Sequence, residues 1–143
     1  MREVIPFVIQ GLIMSVDEFY CHRRREMRRW ERLGHPFDTL VFIFALLWLL
    51  WVEGSWTGPG FAALALTSSL VISKDEWEHR ELCTGFENWL HSLLFMLHPT
   101  VLIWSAWLWS SQNENFTIVV GGAAVLSGIF FIYQLVYWNL IAR

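Results

Sequence analysis

Carboxylates and imidazoles crowd into one short stretch of an otherwise apolar chain. Ser73 to His91 holds Asp75, Glu76, His79, Glu87 and His91, and an earlier stretch, Ser15 to His35, holds Asp17, Glu18, His22, Glu31 and His35. Both begin Ser-x-Asp-Glu-aromatic and close on Glu-x-x-x-His. Asp17 and Glu18 superpose on Asp75 and Glu76 at an offset of 58, and Glu31 and His35 on Glu87 and His91 at 56, so a two-residue difference between the turns reconciles them. The offset of 56 also lays Trp48 on Trp104 and Trp51 on Trp107. We read an internal duplication, with repeats over 1–55 and 60–111.

The chemistry these residues suit is metal binding. On a helix, Glu18 and His22 are four residues apart and Glu76 and His79 three, and either spacing puts both groups on one face. The register at the histidines has two solutions: without a gap His79 opposes Cys21, and a one-residue slip pairs it with His22. Mixed carboxylate and imidazole donors serve iron, manganese and zinc, and a ligating histidine needs a carboxylate or carbonyl behind it. The candidate ligands are therefore Glu18, His22, Glu31, His35, Glu76, His79, Glu87 and His91, with Asp17, Asp75 and His98 in the surrounding layer. Glu76 and His79 carry the clearest ligand spacing. Two plainer roles compete. Thr84 to Glu87 forms a capping box, which would use Glu87 to start a helix. His98 lies seven residues past His91, about 10 Å further along a helix, where a backbone carbonyl near Pro99 would satisfy it.

Glu76-Trp77-Glu78-His79 is the Glu-x-x-His motif as it stands, and four helices each bringing carboxylate and imidazole to one layer resemble the ferritin-like di-iron and di-manganese carboxylate bundles. Glu18 to His22 has one residue more than that motif, and the Glu-x-x-x-His pairs differ from it likewise. The resemblance implies two metal ions, iron foremost, with manganese and zinc as alternatives.

The elements that must position these groups are membrane helices. The chain has 143 residues, 55% of them hydrophobic and 17% aromatic, and its charges gather between long apolar runs, a membrane composition. Six of the ten Lys and Arg lie between Arg23 and Arg32; a basic turn between two apolar runs follows the positive-inside rule and gives no reason to expect nucleic acid. The apolar run Val4 to Val16 leads into Asp17 rather than a small-residue cleavage site, so targeting is expected to rest on the helices themselves. Cys21 and Cys83, beside turns expected in the cytoplasm, are expected as thiols.

Five spans are expected. The first covers Val4 to Val16 and continues unbroken through His22. The second runs from about Phe37 to Val52, started by Gly34-His35-Pro36. The third begins near Phe61 and reaches His79; the fourth runs from about Phe86 to Trp109, bent at Pro99. The fifth covers Thr117 to Ala142, where Gly121, Gly122 and Gly128 suggest close helix contact. Spans one and three end, and two and four begin, on one face, so the four polar clusters share a level. The fold expected is all-α: a single polytopic membrane domain over 1–143, duplicated helical hairpins forming a four-helix bundle, and an additional transmembrane helix at 116–142.

These readings converge on a membrane-embedded di-metal protein, a metal-dependent oxidoreductase working by redox or oxygen-dependent chemistry on a lipid-soluble substrate or quinone. Its setting is a bacterial inner membrane or equivalent, with the metal-site turns on the cytoplasmic side. The alternatives are a metal-binding or transport protein without catalysis, and a non-enzymatic subunit that meets a membrane-protein partner or a second copy through the fifth helix.

Overall fold

The chain is described by a computed structural model over residues 2–24, 27–76 and 82–142. Among the described residues the regular secondary structure is helical, with five α-helices: α1 (Ile5–Val16), α2 (Arg29–Trp51), α3 (Thr57–Val71), α4 (Gly85–Ser110) and α5 (Phe116–Val136). Among the described residues, four helical stretches, Arg2–Arg24, Arg29–Trp51, Gly85–Ser110 and Phe116–Ile141, are long and apolar enough to cross a membrane. α2 packs chiefly on α5 and α3, and α1 on α4. Phe42, Leu46 and Leu49 of α2, Phe61 of α3, Leu102 and Leu108 of α4 and Val120 of α5 interlock in one apolar cluster.

Three local devices shape the helices around the polar layer. The first helix passes without a break into a π-helical turn at Asp17–Cys21, where the His22 N–H bonds the Asp17 carbonyl five residues back. After α3 the chain passes through a 3-10 turn at Ile72–Asp75. A π turn is wider than an α turn by one residue and is frequent at functional sites. It brings Asp17, five residues before His22, onto that histidine's side of the helix.

The second device corrects an expectation. α2 starts at Arg29, about two turns before the Gly34-His35-Pro36 signal, and carries Pro36 inside it. Two interactions make this tolerable. At the start, Glu31 accepts from the Arg28 backbone N–H at 3.0 Å, a local cap on an otherwise open helix end. At the proline, the missing N–H strands the carbonyl four residues earlier, which belongs to Arg32. Asn139, in the π turn Tyr137–Ile141 that extends α5, donates its side-chain amide to that oxygen at 3.3 Å.

The third device sits at the opposite end. Trp48 donates its indole N–H toward the carbonyls of Thr57 (3.2 Å) and Trp56 (3.4 Å), and so holds the turn between α2 and α3. Gly60 leaves the space the indole fills, and a Cβ there would collide with the ring. The fifth-helix glycines behave differently: a Cβ at Gly121, Gly122 or Gly128 meets nothing within 4 Å, so within this chain they mark no close helix crossing.

Because Trp48 is pinned by its hydrogen bonds, Gly60→Ala is expected to destabilise the protein by about 1–3 kcal/mol, the usual cost of overpacking. Denaturant titration in detergent measures this, and Trp48→Leu in the same chain should recover most of the loss.

Candidate metal centre

The π turn aims two consecutive carboxylates at one imidazole. His22 Nε2 lies 3.5 Å from Asp17 and His22 Nδ1 lies 3.5 Å from Glu18. From α4, His91 brings Nε2 to 3.1 Å from both oxygens of Asp17, and Glu87 brings a carboxylate oxygen to 3.8 Å from His22 Nε2. All four of Asp17, His22, Glu87 and His91 are buried, and one ligand atom from each lies within 4.8 Å of the other three.

That donor set has the size of a single metal site. With metal–ligand bonds of about 2.0–2.1 Å, tetrahedral ligand atoms stand about 3.3 Å apart, and the separations above bracket that distance. Two imidazoles and two carboxylates are also the chemistry that iron, manganese and zinc accept.

Asp17, expected in the surrounding layer, and Glu18, expected as a ligand, both face His22. Asp17 joins the four converging donors. Both oxygens of Glu18 are engaged from the last helix: Gln134 donates its amide to one at 3.3 Å, and the Trp138 indole N–H donates to the other. The Gln134 amide is fixed in turn, because its oxygen lies 2.9 Å from the Thr39 hydroxyl of α2. Glu18 thus stands behind His22, held by two donors from the last helix, as an orienting carboxylate does in metal sites.

The remaining candidates lie at graded distances from the four. His35, half-buried, stacks its ring on that of His22 with centroids 4.9 Å apart. Glu31 is fully buried and caps its own helix. The Glu87 N–H bonds the Thr84 hydroxyl at 3.3 Å, so the capping signal operates through the backbone while the carboxylate lies near His22. Glu76 is exposed and stands outside the four-donor set. His79, and the side chain of Asp75, lie outside the described residues.

His98 is satisfied, but by side chains from two other helices rather than by a carbonyl near Pro99. Gln10 of α1 contacts its Nδ1 at 3.3 Å and Ser68 of α3 its Nε2 at 2.8 Å. An amide N–H toward Nδ1 and a hydroxyl accepting from Nε2–H describe a neutral ring. The trio ties α1, α3 and α4 together below the metal-type cluster. Between the two layers lies a cavity of about 110 Å³, bounded at one end by Asp17, His22 and His91 and reaching His98 at the other.

Sequence reading missed Gln134, Trp138 and Thr39. The signal was present for two of them: Gln134 and Trp138 are four apart on the span whose end was expected at the face where the clusters lie. The chain matches no family model, no curated protein and no solved structure.

Trp138→Phe keeps a ring and deletes the N–H. It is expected to lower unfolding free energy by about 1–3 kcal/mol, the range for a lost hydrogen bond to a buried charged group. Chemical denaturation in detergent reads the loss, which should shrink when Glu18→Leu is already present.

Proposed function

We propose that the protein is a membrane-embedded metal protein whose ion is held by Asp17, His22, Glu87 and His91, and that it carries out redox chemistry on a lipid-soluble substrate. One observation carries the proposal: two carboxylates and two imidazoles from two separate helical segments, all buried, converge within the reach of one ion. The apolar helices around them support the membrane setting. Burying this many ionisable groups among such helices is costly, and a shared cation offsets the cost while using every donor.

Iron is the ion we favour, since a site combining two histidines with carboxylates is the donor set of non-haem iron oxygenases; when bound, it would supply one-electron and oxygen chemistry. The chain's own groups do the rest. Glu18 orients His22, while Gln134, Trp138 and Thr39 keep Glu18 in place. The apolar walls of the adjoining cavity keep bulk water away.

A two-ion centre would recruit Glu18, Glu31 and His35 as well. Glu18 already takes two donors from the last helix and Glu31 caps α2, so the single-ion reading requires less rearrangement.

Protein purified in detergent after growth with iron, manganese and zinc is expected to hold about one equivalent of metal per chain by elemental analysis. Asp17→Ala and His91→Ala should abolish most of it, and Glu76→Ala should leave it unchanged. Occupancy should fall as pH is lowered, because protons compete for both imidazoles. Protein that folds and carries no stoichiometric metal would refute the proposal.

A further inference from the structure

The cavity beside the cluster is framed by helices that meet only in part. α1 packs on α4 and α5 packs on α2. The first and last helices are bridged at the level of the cluster, by the Trp138 and Gln134 bonds to Glu18 and by the Phe19 and Tyr133 rings, whose centroids are 5.1 Å apart. Below that bridge both helices still line the cavity, through Met14 on one side and Ser127 and Phe130 on the other. Those three are half-buried. The faces flanking them carry Leu12, Leu126 and Ile129, which are 61–68% exposed, the surface that lipid would cover.

The two ends of the cavity differ in chemistry. At the cluster it offers carboxylate and imidazole; along its length it is walled by Met14, Phe42, Leu94, Phe95 and Phe130; its far end is the Gln10, His98 and Ser68 trio, whose imidazole nitrogens already have partners. Its size also discriminates. About 110 Å³ is less than the ~150 Å³ cavity that admits a benzene ring.

We infer that the gap between α1 and α5 is a lateral entrance from the bilayer, and that its occupant is a single-chain amphiphile with a small uncharged oxygen-bearing head, such as a long-chain alcohol or aldehyde. The head and its first carbons fill the chamber against the cluster, and the chain lies between Met14 and Ser127 and out among the lipids. An anionic head is disfavoured beside Asp17 and Glu18, and a quinone ring is too large for the chamber. This inference rests on the membrane-embedded metal reading and narrows its substrate class.

Photolabelling tests it. The protein is reconstituted in phosphatidylcholine vesicles containing a hexadecanol with a diazirine near the hydroxyl, and labelled residues are mapped by mass spectrometry, with metal content measured on the same sample. The expected labels are Leu94, Phe95 and Met14, and unlabelled hexadecanol should suppress them where a short-chain benzoquinone does not. Ser127→Trp, which fills the mouth, should reduce them roughly tenfold, equivalent to the cost of overpacking one side chain. Labels confined to outward residues such as Leu12 and Leu126 in metal-replete wild-type protein would overturn the entrance. Suppression by the quinone would overturn the assigned ligand class. Chamber labelling in protein that proves to hold no metal would leave the entrance standing and remove the metal reading alone.

Discussion

The Asp17 carboxylate and the His91 imidazole are the interaction on which the other features depend. A carboxylate buried among apolar helices is expensive unless paired, and removing one partner of such a pair typically costs about 3–5 kcal/mol. Asp17 reaches His91 at 3.1 Å and His22 at 3.5 Å, and this is possible because the first helix widens into a π turn at that point. The widening turns Asp17, Glu18 and His22 inward together, and α4 answers with Glu87 and His91. Helix packing, local backbone geometry and donor chemistry are thus one constraint at this level.

The last helix stabilises that arrangement from outside. Its Gln134 and Trp138 supply the donors that a buried Glu18 needs, and Asn139 supplies the one that Pro36 withholds from Arg32. Three polar side chains within six residues therefore tie α5 and its terminal π turn to both α2 and the first helix. The Gln10, Ser68 and His98 trio performs the same task one layer away, joining three helices through neutral hydrogen bonds. Such polar ties matter where helix faces are apolar, because the hydrophobic effect does little to choose one packing among many in lipid.

Much of this was legible in the residue order. The five helices, the continuation of the first through His22, and the buried carboxylate and imidazole groups near the helix ends could all be read from apolar run length and from the paired motifs. What escaped had physical causes. Pro36 read as a helix start because its missing N–H is harmless there, and only a donor 103 positions away in the chain makes an interior place acceptable. The residue order did not show that Asp17 as well as Glu18 would face His22, because only a π turn brings a residue five positions earlier onto the same side. The paired motifs also hid an asymmetry: Glu18 is buried while its counterpart Glu76 is exposed. Partners such as Gln134 carry no motif at all, and their part emerges only when the last helix is placed.

The central claim is that one ion is held by two imidazoles and two carboxylates. X-ray absorption at the metal edge of the purified, metal-replete protein measures this directly. The account predicts a first shell of nitrogen and oxygen at about 2.0–2.2 Å, with the outer-shell scattering of two imidazole rings, one of which disappears in His91→Ala. A shell of oxygen alone, a sulfur scatterer, or a spectrum unchanged by His91→Ala would contradict it.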